Sequence, residues 1–467
     1  MSREKYRELL DKFRSIGQEH VFQFWPELVE GQRRQLLAQL EALDVQLIVE
    51  LQNLLKKLSE NRHYTPGTLR PFEVTTLPQN PKEQKIFEDS KKEGERLLRD
   101  GKVGALVVAG GQGTRLGFNG PKGCYPVGPV SDRTLFQYHF EKVLALEKRF
   151  KTFIPFYIMT SGFTHEETVT FLKDKNYFGK HPKDVMLFQQ RMLPALDERG
   201  KILLKTKDGI ALAPDGHGGM IKAIQQHDVL QDMIRREIDY IFYFQVDNPL
   251  VQICDPVFIG FHARAGAEMS AKTIYKNNPF EKLGNIGWLG EKVVIIEYTE
   301  LSDQEKLQRN ADGKLTFGQG SIAIHCFSRH FLERLVHSAT SLPFHIAHKK
   351  IEHITKDGTL SRPLKENGYK FEQFIFDCFG IAEKVLVLET DRCYDFSPIK
   401  NKDTDGVDCP ETARRDLTNL FRSWLAYCGV KREVDGRWLE ISPLDALDAK
   451  ELCEKLRHQN MAQIVLT

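Results

Sequence analysis

Several things are scarce in this chain of 467 residues, and each shortage removes a class of function. No apolar run approaches the length of a membrane span; "YIFYFQV" at 240–246 is the size of a strand. Neither charge sign is in excess, since 66 Lys and Arg face 64 Asp and Glu for a net charge of +2. A nucleic-acid-binding protein would carry a basic surplus, so that class is not expected. The eight cysteines are scattered without a C-x-x-C pair. That spacing predicts buried or half-buried thiols in a reducing cytoplasm, and neither a disulfide framework nor a zinc site. The start, "MSREKYRELLDKF", lacks the apolar core of a signal peptide, which also points to the cytoplasm. His345, His348 and His353 in "FHIAHKKIEH" have no cysteine or acidic cluster beside them, and an amphipathic helix fits their spacing as well as a metal site does.

Residues 1–98 read as a helical region and linker. Apolar positions recur at helical spacing in "YRELLDKFRSI", "LVEGQRRQLLAQLEAL" and "VQLIVELQNLLKKL", and the Pro-rich "HYTPGTLRPFEVTTLPQNPKEQ" (63–84) reads as an irregular connector. From 99 to 390 the pattern turns to strand-then-helix. "VGALVVAG", "FIPFYIMTS" and "YIFYFQVDN" are buried strands, with helical "DRTLFQYHFEKVLALEKRF" and "HEETVTFLKDK" between them. Phe136, Phe140, Val143 and Leu144 mark one face of the first helix, and Ser131 or Asp132 is its expected N-cap. The fold class is therefore α/β, a mixed and mostly parallel sheet with helices on both faces and a ligand at the carboxyl ends of its strands. Residues 391–467 read as a small C-terminal lobe that opens on the loop "YDFSPIKNKDTDGVDCPETARRD".

The stretch "VVAGGQGTRLGFNGPKGCYPVG" (107–128) is dense in glycine, has Arg115 and Lys122, and contains no carboxylate. It leaves the end of a buried strand. Glycine lets backbone N–H groups approach a ligand, and clustered amides beside two cations suit a polyphosphate. The glycine spacing is not that of a dinucleotide fold, and no acidic residue ends the next strand to hold a ribose. The ATPase loop also fails, because glycine follows Lys122. The arrangement G-G-x-G-T-R-L-G-x(4)-K places Gly110 and Gly111 under a nucleotide. Arg115 can then grip terminal phosphates bidentately, and Lys122 can meet charge that builds on the α-phosphate.

On this loop the chain resembles the sugar-nucleotide pyrophosphorylases, and within them the UDP-N-acetylhexosamine branch. "GQEHVFQFWPEL", "FYIMTSGFTHEET", "YFGKHPKDVMLFQQRMLPAL", "APDGHGG", "VDNPLVQICDPVFIGF", "IEYTEL", "EQFIFDCF" and "DFSPIKN" follow in the same order as in that family, to about residue 445. The resemblance implies a Rossmann-like nucleotidyltransferase domain. It also implies an enzyme that joins UTP to a sugar 1-phosphate with Mg²⁺ or Mn²⁺ as cofactor, working as a monomer or weak homodimer without nucleic acid or membrane.

Residue by residue, the resemblance sets the backbone of Ala109, Gly110 and Gly111 against UTP. Gln190 ends an apolar strand with an amide that can both donate and accept, as an imide edge demands, and the resemblance puts it and Gly216 at the uracil. Asp247 closes the strand before "DNP". It can hold the metal or merely cap an Asx-turn, and the resemblance favours the metal. Lys370 is implied at the UTP phosphates and Lys400 at the sugar phosphate, while Gly284 and Glu297 are implied at the sugar. Two further sugar positions depart from the branch, because His217 and Ser321 stand where its members usually carry asparagine. The main expectation is transfer to an N-acetylhexosamine 1-phosphate. A glucose-using or broad-specificity enzyme is the alternative, and a nucleotide-binding protein without turnover is the third reading.

Overall fold

The computed structural model describes residues 2–57, 69–338, 341–430 and 438–466. Its contacts divide the chain into two compact units that are not consecutive in sequence. One unit gathers residues 1–64, 190–219 and 342–375; the other holds 65–189, 220–341 and 376–467. This division cuts across the consecutive blocks 1–98, 99–390 and 391–467, because the first helices group with two later insertions and the last segment groups with the sheet.

The larger unit is built on a ten-stranded sheet. Its strands are β1 (Leu69–Pro71), β2 (Val103–Val108), β3 (Phe156–Thr160), β4 (Val185–Gln189), β5 (Tyr240–Gln245), β6 (Met269–Tyr275), β7 (Asn285–Leu289), β8 (Lys292–Ile296), β9 (Gln319–Ser328) and β10 (Val385–Glu389). The main path runs β1-β7-β9-β5-β2-β3-β4, with β8 on β7 and with β6 between β9 and β10. Strands β5, β2, β3 and β4 are parallel to one another, whereas β9 is antiparallel to β5 and to β6. Near-continuous apolar runs such as Val103–Val107 are what a parallel strand covered on both faces requires, and Val103, Ala105, Leu106 and Val107 are fully buried.

The helix Leu135–Phe150 follows the glycine loop, and Phe136, Phe140 and Val143 are buried on its inner face. Its N-cap is Thr134, whose hydroxyl accepts the Gln137 N–H. Ser131 is not the cap because its N–H and hydroxyl both donate to the buried Glu440 carboxylate. Within the 63–84 connector, residues 63–68 lie outside the described residues. Strand β1 and the start of a helix, Pro81–Arg99, occupy part of the remainder. That helix went unread in the sequence because only a narrow stripe of it is apolar. It lies against the helix Pro256–Ala265, and the two close so tightly that a Cβ on Gly94 would sit 1.9 Å from the Pro256 carbonyl oxygen. From the C-terminal segment, Ala413, Leu417, Phe421 and Trp424 of the helix Pro410–Tyr427 join the same core as β2 and β5.

The smaller unit has its own core. Phe13, Val21, Leu36, Leu40 and Leu51, from the three predicted N-terminal helices and the turn after the first, pack with Leu193, Leu196, Ile202 and Phe371. A three-stranded antiparallel sheet joins Phe344–Lys349, Gly368–Gln373 and Leu196–Asp197. The "FHIAHKKIEH" segment is therefore strand and not helix. Neighbouring strands supply its backbone partners, and these override the helical spacing of its histidines. The cysteine expectation is corrected at one pair. Cys428 and Cys453 are joined as a disulfide, and the other six cysteines are free. Their spacing of 25 residues gives no local signature. Among the described residues no helix is long and apolar enough to cross a membrane.

Candidate functional site

In the larger unit, adjacent parallel strands deliver the candidate residues to one edge of the sheet. Val108 of β2 is level with Gln245 of β5 on one side and Met159 of β3 on the other. The chain stays paired just beyond: Ala109 N–H donates to the Met159 carbonyl at 2.7 Å, and Val246 N–H to the Val108 carbonyl at 3.1 Å. The Ser161 hydroxyl donates to the Gly110 carbonyl at 2.8 Å, which fixes the first glycine of the loop. Beyond it the loop folds on itself. Lys122 N–H donates to the Gly111 carbonyl at 3.0 Å, and Gly113 N–H to the Gly120 carbonyl at 2.9 Å. A Cβ placed on Gly111 would meet nothing within 4 Å, so the protein leaves open space over that residue. Arg115 stands exposed at the loop's far end, with no hydrogen-bond or ion-pair partner among the described residues.

Lys122 turns back under the loop. Its ammonium lies 3.3 Å from Asp247 Oδ2 and donates to the Ile399 carbonyl at 3.2 Å. One contact set thus unites the loop, the end of β5 and the residue before Lys400. Ile399 N–H donates to the Asp247 carbonyl at 2.9 Å, so the two segments are also paired through their backbones. The Lys400 ammonium sits 5.9 Å over the ring of Phe396, and the Lys400 backbone N–H donates to the Asp408 carbonyl at 2.6 Å. Asp247 is the single carboxylate among these contacts. That donor set fits a magnesium ion that takes most of its oxygens from phosphates and water.

The sugar candidates Gly284, Glu297 and Ser321 also converge in this unit. Ser321 N–H donates to the Gly284 carbonyl at 2.8 Å, and the Cβ position of Gly284 lies 3.7 Å from Glu297 Oε1.

The smaller unit contains Gln190, Gly216, His217 and Lys370. Gln190 is buried just past β4. Next to it, Arg191 Nε donates to Asp215 Oδ2 at 3.0 Å, and Asp215 N–H to the Arg191 carbonyl at 3.0 Å. Burial pushes the Asp215 carboxyl up to about 6, against the pull of Arg191. Gln373 N–H donates to the Asp215 carbonyl at 2.7 Å, which ties the 213–219 turn to the strand that carries Lys370. Gly216 has φ +82°, and a Cβ there would sit 2.5 Å from the Gln373 carbonyl oxygen, so this turn admits only glycine. The His217 ring stacks on Phe374, and its Nδ1 accepts the Ile375 N–H at 3.0 Å. Burial, then the neighbouring His345, brings the His217 imidazole down to about 4. A backbone N–H can only donate, so the neutral ring carries its proton on Nε2.

Sequence reasoning named the terminal residues of this arrangement and missed those that hold them. Asn248 and Asp395 lie inside the motifs "VDNPLVQ" and "YDFSPIKN", Ser161 closes the predicted strand "FIPFYIMTS", and Arg191 directly follows the strand that Gln190 ends. Polar residues at strand ends were a usable signal for Asn248, Ser161 and Arg191, whereas Asp395 ends a short helix, Arg392–Asp395, and carried no such signal.

A family model described as UTP–glucose-1-phosphate uridylyltransferase matches residues 52–406. The chain belongs to this family. It is 37% identical over 449 residues to the UDP-N-acetylglucosamine pyrophosphorylase of Saccharomyces cerevisiae, covering 92% of this chain and 93% of that one. To the human UDP-N-acetylhexosamine pyrophosphorylase-like protein 1 it is 36% identical over 448 residues, covering 92% and 88%. Among solved structures, the uridine diphosphate N-acetylglucosamine pyrophosphorylase of Trypanosoma brucei superposes with a TM-score of 0.84. It is 25% identical, and the match covers 97% of this chain and 95% of that one.

Proposed function

We propose that this protein transfers a uridylyl group from UTP to an N-acetylhexosamine 1-phosphate, releasing UDP-N-acetylglucosamine and pyrophosphate. The observation that carries this reading is the convergence of Lys122, Asp247 and the Ile399–Lys400 segment beside an open, glycine-floored loop end. Family membership supports uridylyl transfer, and the names of the relatives favour the acetylhexosamine over glucose.

In this mechanism a phosphate oxygen of the sugar phosphate attacks the α-phosphorus of UTP in line. The new oxygen–phosphorus bond forms as the bond to the β-phosphate oxygen breaks, and pyrophosphate leaves on the opposite side. The attacking phosphate is already ionised, so no side chain has to remove a proton. The work left to the protein is bringing anions together and offsetting their charge. Lys122 would hold the α-phosphate and Arg115 the departing diphosphate, with the backbone of Ala109, Gly110 and Gly111 beneath the nucleotide. Lys370 would add a cation to the triphosphate, and Lys400 would steer the sugar phosphate. Asp247 would hold Mg²⁺, or Mn²⁺ in its place, which supplies further charge neutralisation on the phosphates. Gln190 and Gly216 would read the uracil edge, while His217, Gly284, Glu297 and Ser321 would face the sugar.

The test is pyrophosphate release by the purified protein given UTP, Mg²⁺ and, in turn, the 1-phosphates of N-acetylglucosamine, N-acetylgalactosamine and glucose. Highest kcat/KM with an acetylated sugar is expected. A preference for glucose 1-phosphate would overturn the sugar assignment and leave the chemistry. UTP binding without pyrophosphate from any sugar would overturn the chemistry itself.

A further inference from the structure

Asp247 and Lys400 lie 153 positions apart in sequence, yet they are held in one register by a buried polar strap. Its centre is Asn248, 4% exposed. The Asn248 amide nitrogen donates to the Asp395 carbonyl at 2.6 Å. Its amide oxygen accepts the Ser397 N–H at 3.1 Å and the Leu250 N–H at 3.3 Å. Asp395, fully buried, answers from the other side, with Oδ1 accepting the Gln252 N–H at 2.9 Å. Its Oδ2 meets the Thr390 hydroxyl at 2.6 Å and the Lys272 ammonium at 2.5 Å. Lys272 rises from the middle of β6, is fully buried, and lies 2.8 Å from Asp255 as well. Burial lowers its affinity for a proton, but the two carboxylates outweigh that and hold it charged. A buried network of this kind is rigid only while every member stays paired.

We propose that Asn248 is a positioning residue for the transfer reaction, setting the Asp247 carboxylate and the Lys400 ammonium in a fixed mutual register through the 395–399 segment. The proposal rests on the uridylyl-transfer reading of this site. The segment from Asp395 to Ile399 is zipped to residues 247–252 at four points: Asp395 carbonyl to Asn248, Asp395 carboxylate to Gln252, Ser397 to Asn248, and Ile399 to Asp247. Asn248 makes two of the four, and its amide alone supplies a donor and an acceptor facing opposite backbone groups. Without it only the Asp247–Ile399 and Asp395–Gln252 links remain, and the register between the metal carboxylate and the sugar-phosphate cation loosens. The glycine loop keeps its own internal hydrogen bonds, so nucleotide binding remains.

The experiment compares wild type, Asn248→Ala, Lys400→Ala and the double variant. Asn248→Asp serves as a second probe that keeps the side-chain volume and the acceptor and loses the donor. Asn248→Ala is expected to lower kcat by about 10- to 100-fold with KM for UTP within about twofold, the cost of a misplaced reacting pair. In the Lys400→Ala background the same change should cost only about twofold more, because both variants disable one arrangement. Paramagnetic relaxation by Mn²⁺ should show binding of the metal to the protein weakened several-fold by either Asn248 change, a readout independent of turnover. Losses that multiply fully in the double variant would overturn the proposal. So would unchanged kcat per folded molecule with only a lower melting temperature, or unaltered Mn²⁺ binding. A wild type that releases no pyrophosphate with any sugar phosphate would sink the uridylyl-transfer reading instead, and the Mn²⁺ comparison would still judge the strap.

Discussion

Two glycines separate the demands of the fold from those of a ligand. At Gly216 the backbone φ of +82° and the Gln373 carbonyl exclude any side chain, so Gly216→Ala should cost roughly 1–3 kcal/mol of stability. At Gly111 the space above the residue is open, and Gly111→Ala should leave stability within about 0.5 kcal/mol. The same methyl would stand where the proposed mechanism lays the nucleotide, so KM for UTP should rise about tenfold or more. Urea melts and steady-state kinetics on the two variants check the contrast. A Gly111→Ala enzyme with unchanged KM would remove the nucleotide from that space.

One buried histidine beside the site gives a pH signature. His139 is fully buried, and its Nε2 donates to the Val246 carbonyl at 2.9 Å, one residue before Asp247. Burial, then the nearby Lys142, brings its imidazole down to about 3, against the pull of the Val246 carbonyl and Asp247. The folded protein therefore keeps the ring neutral where the unfolded chain protonates it, near the ordinary value of about 6.5. Its contribution to stability is present above that value and is lost as pH falls toward 3. Between pH 7 and pH 5 the loss from this group should be about 2 kcal/mol. Denaturant melts should show a shallower decline with acid for His139→Gln than for wild type. Parallel curves would mean the buried ring is already charged.

At the scale of elements, strands β2, β3 and β5 were legible because a strand covered on both faces must be apolar throughout, and so were the helices after β2 and β3. The antiparallel strands β6 to β9 were hardly marked, since their partners come from distant parts of the chain and their polar positions are interleaved. For the same reason the histidine segment 344–353 suggested a helix. The glycine loop was legible in composition and in its position after β2, but its fold was not. The bonds from Lys122 to Gly111 and from Gly113 to Gly120 arise only once the chain has doubled back. That folding leaves Arg115 at the exposed end and sends Lys122 inward, so the two cations should respond differently to removal. Arg115→Ala breaks no hydrogen bond or ion pair among the described residues and should change stability by no more than about 0.5 kcal/mol. Its kcat should nevertheless fall by about 10²- to 10³-fold, and Arg115→Lys should recover little of it. Lys122→Ala should lower kcat comparably and also cost about 1 kcal/mol, since it strips the partly buried Asp247 of its cation. Calorimetry beside pyrophosphate release separates the two; equal stability losses would contradict the inward placement of Lys122.

Across the whole molecule, the sequence motifs kept their order while the contacts regrouped them. Gln190, Gly216, His217 and Lys370 fall in one compact unit, and Arg115, Lys122, Asp247, Gly284, Glu297, Ser321 and Lys400 in the other, a division no run of residues announces. The Cys428–Cys453 bridge is another long-range feature, tying the end of the helix Pro410–Tyr427 to the helix Ala449–Leu456. Closing a loop of 25 residues restricts the unfolded chain, a stabilisation of about 3 kcal/mol in the entropic account. None of the hydrogen bonds that fix Lys122, Asp247, Asn248 or Ile399 involves either cysteine. Reduction, or Cys453→Ser, should therefore lower stability by about that amount while kcat at 25 °C stays within about twofold of wild type. Alkylation of the denatured chain followed by mass spectrometry should count six thiols before reduction and eight after it. Eight thiols in unreduced protein would show that the two helices are held by packing alone. The stability difference on adding reductant should then vanish as well, so that the two measurements must agree.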